Sequence, residues 1–356
     1  MKRQRLEQED DYFDHNDYFA QSSEKGSEES IDKSEMLNSS EQDLRNWRTN
    51  DGPLVYSDPQ EEVERVEQGH SRRLTHGDYT VACICPMGVE LAPVQAMLDE
   101  MHQSLPSGRD ENSYTLGRMG GHNVVIAIMP EIGNNRAASV ATQLLNDFKS
   151  IRFGLLVGIG SGIPDGKKID IRPGDIVVSK PTATLGGVVQ FDIGKSSSNG
   201  LFERTGTLKK PPGVLSASVE KLEAENRRKG SDILKFLSEM MRKYPKMREQ
   251  YIYQGEENDQ LFEAIYNHKG GETCGQCDQS KVIERAPRKN LSPKIHYGTI
   301  GSTNAVIKDS GAREKLKMDL GILCVEMEAA GLMDESPCLV ICGICDYADT
   351  HKNKSW

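Results

Sequence analysis

Residues 135–163, NRAASVATQLLNDFKSIRFGLLVGIGSGI, decide the fold class. The first half sets apolar residues at helical spacing among small ones and predicts an amphipathic helix able to pack closely. The second half, FGLLVGIGSGI, is a short continuous apolar run closed by glycines, which predicts a buried strand running into a glycine turn. A helix delivered directly into a strand covered on both faces belongs to an α/β sheet. The same alternation continues outward. YTVACICPM (79–87) reads as a strand and GVELAPVQAMLDEMHQ (88–103) as the helix after it; HNVVIAIMP (122–130) and GDIVVSKP (174–181) are further strands. The pattern resumes in IHYGTIGSTNAVI (295–307), GILCVEMEAAGL (321–332) and CLVICGICDYAD (338–349). The predicted fold is one α/β domain with a central mixed, mostly parallel sheet flanked by helices, spanning residues 78–356. Residues 196–289 break the rhythm: they are charged, hold one helix-like run, SDILKFLSEMMRKY (231–244), and predict an insertion of helices and surface loops.

Charge divides the chain unevenly. Residues 1–76 carry 19 Asp or Glu against 10 Lys or Arg, so nine of the ten net negative charges lie there and the remainder is close to neutral. With hydrophobics only singly placed, such a segment buries too little apolar surface to offset its ordering entropy, and residues 1–77 are predicted to be a disordered acidic arm. An acidic balance argues against nucleic-acid binding. No run of about 18 apolar residues exists to span a membrane, and no signal peptide precedes the arm. Six of the eight cysteines, Cys83, Cys85, Cys324, Cys338, Cys342 and Cys345, sit in or beside apolar runs as small hydrophobes, which suits a reducing, cytoplasmic compartment. The other two form a CxxC, Cys274 and Cys277. That is half a zinc motif, with His268 and His296 nearby but at no recognised spacing, so no metal is assigned to the predicted site.

In open α/β sheets, chemistry gathers beyond the carboxyl ends of the strands. Those ends carry Glu90, the glycine run Gly158, Gly160, Ser161 and Gly162, the pair Glu326 and Glu328, and Asp346. A glycine loop lets backbone amides approach an oxygen-rich group, although no GK[ST] follows to make it a Walker loop. Each acid taken singly reads as a helix-start carboxylate matched to a dipole. As a set, four carboxylates converging without arginine or metal ligands suit acid-assisted cleavage of a sugar bond. One acid protonates the leaving group, another handles water, and others hold sugar hydroxyls.

IGNNRAASVATQLLNDFKSIRFGLLVGIGSGIP with IRPGDIVVSKP, VEMEAAGL and ICDYAD resembles, in order, the nucleoside phosphorylase and nucleosidase superfamily. The nearer likeness is to methylthioadenosine and adenosylhomocysteine nucleosidases and to the nucleoside-phosphorylase-like domains of NLR-like fungal proteins. The resemblance implies cleavage of the N-glycosidic bond of a purine nucleoside or nucleotide with no cofactor, inorganic phosphate entering only if the enzyme is a phosphorylase. It implies that Asp346 protonates purine N7, with a carboxyl kept protonated by burial. It also implies that Glu90 positions the attacking water, Glu328 holds the ribose hydroxyls, Met327 packs on the sugar face and Glu326 supports. Ile307 falls where the family reads the base edge, beside Val306 in place of an aromatic. Glu90 would repel phosphate, which favours hydrolysis over phosphorolysis. Homo-oligomerisation is implied as well. Two departures bear on activity. Cys342 stands where the nucleosidases have an arginine that helps bind water. The family also continues into a C-terminal helix that holds the CDYAD segment, whereas this chain stops at Trp356, predicting a loosened Asp346.

Overall fold

The computed structural model describes residues 74–106, 111–166, 168–198, 202–271, 273–290 and 292–351, so most of the predicted acidic arm lies outside the described residues. In chain order the elements are β1 (Val81–Cys85), α1 (Gly88–Ala96), β2 (Glu100–Met101), β3 (Ser113–Met119), β4 (His122–Ile128), α2 (Asn134–Asp147), β5 (Phe153–Gly162), β6 (Ile176–Ser179) and β7 (Val188–Gln190). A small hairpin follows, β8 (Gly194–Ser196) with β9 (Phe202–Arg204), then α3 (Gly213–Lys229), α4 (Ile233–Lys243) and α5 (Arg248–Tyr251). The chain continues with β10 (Ile295–Gly298), β11 (Ile300–Ser302), α6 (Ser310–Leu320), β12 (Cys324–Glu326), α7 (Ala329–Glu335) and β13 (Cys338–Asp346).

Strand β1 shows why the sheet is central. All five of its residues are buried, and they divide by parity between two cores: Ala82 and Ile84 pack with α2, whereas Val81, Cys83 and Cys85 pack with Leu98 and the α1 side. Successive side chains of a strand point to opposite faces, so a strand apolar throughout needs cover on both. The sheet runs β10-β6-β13-β5-β1-β4-β3-β2, with β7, β11 and β12 joined through β5. Pairing is parallel for β1 with β4 and β5, and for β13 with β5. It is antiparallel for β13 with β6, β12 with β5, and along the β4-β3-β2 edge. The mixed, mostly parallel architecture expected from the sequence is the one observed.

Three local expectations differ. The helix after β1 ends at Ala96, because residues 100–101 are drawn into the sheet edge against Arg118 and Gly117. The predicted glycine turn at 158–162 is strand: β5 runs unbroken to Gly162, keeping parallel pairing with β13 as far as Ser161 and taking on antiparallel pairing with β12 at Ser161 and Gly162. Its glycines make room for that crossing, since a Cβ on Gly160 would meet Val325 O at 3.0 Å and Cys342 Cβ at 3.3 Å. The insertion, finally, is more than surface. Leu215 and Val219 of α3 pack on Val178 and Leu339 and cover the β6–β13 face. Tyr251 repairs α1 in turn. Pro93 has no N–H to offer Val89 O, and the Tyr251 hydroxyl donates to that oxygen at 2.9 Å.

Candidate functional site

Glu90 is the third residue of α1. Its Oε2 accepts the N–H of Met87, the N-cap, at 2.6 Å, the back-reach of a capping box. Its Oε1 accepts Ile159 N–H from β5 at 2.7 Å. Gly158 is required beside it, because a Cβ there would sit 3.0 Å from Glu90 Oε1. Two backbone donors thus fix a carboxylate that is only 5% exposed, and each oxygen keeps a further lone pair. Burial outweighs those bonds and lifts its pKa to about 7, with the charge of Glu328 adding to the rise.

The β12–α7 junction separates the two glutamates. Glu326 Oε2 accepts the N–H groups of Glu328 and Ala329, at 2.8 and 2.7 Å, so Glu326 satisfies the start of α7. Its Oε1 is buried without a hydrogen-bond partner among the described residues, the neighbouring Ser302 hydroxyl giving its only proton to Asn134 Oδ1 at 3.0 Å. A proton on that oxygen neutralises the buried carboxylate and lets it donate to the Ser302 oxygen. Burial, then the charge of Glu328, raise Glu326 to about 8. Glu328 occupies the N-cap position of α7 but turns away from it, its Oε1 accepting Gly133 N–H at 3.0 Å across the entrance of α2. Its pKa is also raised by burial.

Asp346 ends β13, where the register slips between Ile344 and Asp346 and re-aims the side chain. It is half-buried, less enclosed than its expected role asks, and its Oδ1 accepts Ala348 N–H at 2.8 Å. The segment after it is held from two sides. Arg313, fully buried in α6, donates to Tyr347 O at 3.0 Å and Asp349 Oδ2 at 3.1 Å. From the insertion, Arg285 donates to the Tyr347 hydroxyl at 2.8 Å and to Asp259 Oδ1 at 2.7 Å. Tyr347, Ala348, Asp349 and His351 are all buried. The segment expected to be loosened is instead hydrogen-bonded from both sides, by α6 and by residues 196–289.

Glu90, Glu326, Met327, Glu328 and Asp346 line one cleft of about 140 Å³, together with Gly160, Ser161 and Val306. No Arg, Lys or His is among the residues that line it. Gly158 stands behind Glu90, Gly162 packs on Ile171 and Ile344, and Ile307 packs with the core near Ile163 and Ile322 rather than in the cleft. Cys342 is buried in the main core, and Cys345, expected there too, lies half-buried in the cleft wall. A larger cavity of about 500 Å³ opens between Thr184 and Lys210, but its wall carries a single carboxylate, Asp334, and none of the acids above.

Sequence reasoning missed the residue that ties these elements together. Asn134, 4% exposed, accepts from Ser302 and from Gly331 N–H on its Oδ1, both at 3.0 Å, and so links β11, α2 and α7 behind Glu328. Gly331 permits the contact, because a Cβ there would collide with Asn134 O. The visible signal was the Gly-Asn step ahead of the helix, a start signal that says nothing of a distant partner.

Comparison with known proteins places the chain among relatives. A family model described as the phosphorylase superfamily matches residues 80–356. A nucleotide-binding leucine-rich repeat (NLR)-like protein of Hyaloscypha variabilis is 45% identical over 282 residues, covering 78% of this chain and 28% of that protein. Among solved structures, futalosine hydrolase of Helicobacter pylori is similar with a TM-score of 0.49 at 17% identity, over 79% of this chain and 90% of the other. The 5′-methylthioadenosine/S-adenosylhomocysteine nucleosidase of Neisseria meningitidis, in complex with methylthio-immucillin-A, gives 0.48 at 16% identity, over 78% and 89%.

Proposed function

The chain belongs to the phosphorylase superfamily, and on that footing we propose that its acidic cleft hydrolyses the N-glycosidic bond of a purine nucleoside. The observation that carries this reading is the cleft wall, which holds four carboxylates and no basic side chain. A phosphate nucleophile brought there would meet the ionised Glu90 and Glu328 with no basic side chain to offset them, whereas water would not be repelled. The same argument favours a substrate with an uncharged 5′ group over a nucleotide. None of the residues lining the cleft calls for a cofactor in this reaction.

Asp346 delivers its proton to purine N7 as the C1′–N9 bond breaks, so the base leaves neutral. Glu90 takes a proton from water as the water oxygen bonds to C1′. Glu328 receives the ribose hydroxyls, Met327 lies against the sugar, and Glu326, carrying its proton, fixes the backbone that presents them. Because Glu90 must be ionised to act on water, and its pKa is about 7, kcat/KM is expected to rise with pH through that value. Replacing Glu90 with Gln is expected to remove the rising limb. The direct test is product analysis with adenosine, methylthioadenosine, inosine and adenine nucleotides, with and without phosphate. Base release equal in both conditions and absent from Asp346→Asn supports hydrolysis; release only with phosphate makes the enzyme a phosphorylase.

Two observations favour a second reading. The position where the resemblance expects an arginine holds a core thiol, and the NLR-like relative is a longer protein of which this chain matches 28%. A module that binds a nucleoside as a signal, with little turnover, fits both. Thermal stabilisation by a nucleoside without product formation distinguishes it.

A further inference from the structure

The CxxC of the insertion was left without a role by the sequence, and the fold gives it company. Cys274, Cys277 and His268 present one ligand atom each, all within 4.8 Å of one another. The turn is built for this: Thr273 Oγ1 accepts Gly275 N–H, and Cys277 N–H bonds back to Cys274 O at 3.0 Å, closing a 3-10 turn between the two cysteines. His268 Nε2 lies 3.2 Å from Thr273 O, the kind of carbonyl contact that orients a ligating imidazole through its other nitrogen. His268 Nδ1 accepts Gly270 N–H at 3.1 Å, so one of these two weak contacts yields when the ring takes a metal.

A fourth donor stands beside His268. His351 is 7% exposed, and both of its ring nitrogens lack hydrogen-bond partners among the described residues. Its ring meets that of His268 edge-on at 5.6 Å and is stacked on Phe262 at 4.1 Å. A buried imidazole with neither nitrogen hydrogen-bonded is costly; a metal bond at Nε2 would satisfy one and leave Nδ1, 3.7 Å from Asp349 Oδ1, facing a carboxylate. Two thiols and two imidazoles are the donor set of a closed, four-coordinate zinc site.

We propose that Cys274, Cys277, His268 and His351 bind one structural zinc ion. The ion joins the insertion to the chain just after Asp346, where His268 N–H already bonds Thr350 Oγ1 at 2.9 Å. The spacing hid the site, because the last ligand follows Cys277 only after the strands and helices that return the chain to the sheet. Zinc is favoured over hard cations by the sulfur ligands.

The test uses the full chain. Metal analysis of purified protein is expected to find about one zinc per chain, and cobalt added after chelation is expected to give sulfur-to-metal charge transfer with tetrahedral d–d bands. Cys274→Ser with Cys277→Ser is expected to lose both. His351→Gln is expected to keep the sulfur band, bind cobalt more weakly and shift the d–d bands. Absence of zinc and of the cobalt–thiolate band overturns the proposal, as does zinc retained by the double variant, or a Cys274–Cys277 disulfide seen as a two-dalton mass deficit in the chain as purified. Unchanged cobalt binding and bands in His351→Gln overturn the four-ligand set. Spectra of wild-type protein keep the test decisive even where a variant fails to fold.

Discussion

Two acid-bearing ends of the sheet are built by opposite means. At the β12–α7 junction, Glu326 and Glu328 are buried among elements of the central fold, each oxygen tied to backbone amides or left to hold a proton. At the end of β13, Asp346 is half-buried, and the chain beyond it is gripped by α6 and by the insertion. The glutamates are fixed by the junction they sit in; the aspartate is fixed from outside, by α6 and by residues 196–289. The difference suits two tasks, since sugar-binding groups gain from rigidity, and a proton donor needs reach toward the base.

The comparison can be broken most severely at Asp346. Asp346→Asn retains an acceptor for Ala348 N–H but loses the proton, so base release should fall about 10²–10⁴-fold with an unchanged melting temperature. Removing the grip comes next. Arg313→Met leaves Asp349 as an uncompensated buried charge beside an unbonded Tyr347 carbonyl, and should cost about 3–5 kcal/mol in denaturant unfolding. Activity should fall further than in an equally destabilised variant elsewhere.

The junction answers in the other direction. The Glu326 pKa is about 8 in the folded chain against 4.5 for the free side chain, so the native state binds the proton more tightly. Its contribution to stability is complete below pH 4.5 and is lost as pH rises through 8. Glu326→Gln, uncharged throughout, should therefore gain on the wild type with rising pH, by on the order of 4 kcal/mol by pH 8. A Tm difference constant across that range would refute the buried proton. Smallest is Tyr251→Phe, which strands Val89 O next to Pro93 and should cost about 1 kcal/mol in unfolding, with any displacement of Glu90 read as a lower kcat.

Much of this was legible because it follows from local pattern. Apolar runs such as VACIC and LCVE are strands by composition, and the acids at their ends were found by position alone. The glycines of 158–162 misled because glycine marks turns and close approaches alike; only the neighbours, Cys342 and Val325, show that here it is approach. Ile307 and Val306 differ by one residue in sequence yet face core and cleft, a choice made by the packing around Ile163. Asn134, Arg313 and the grip on Tyr347 rest on pairings across tens to hundreds of residues, for which one sequence carries no periodic signal. The predicted arm lies mostly outside the described residues, and its charge is known from composition alone.

The central claim is that water, not phosphate, attacks in the acidic cleft. Turnover of a purine nucleoside in H₂¹⁸O with saturating phosphate tests it most directly. The account predicts one ¹⁸O in the released sugar, at C1, and no sugar 1-phosphate; unlabelled sugar 1-phosphate, or no released base at all, would contradict it.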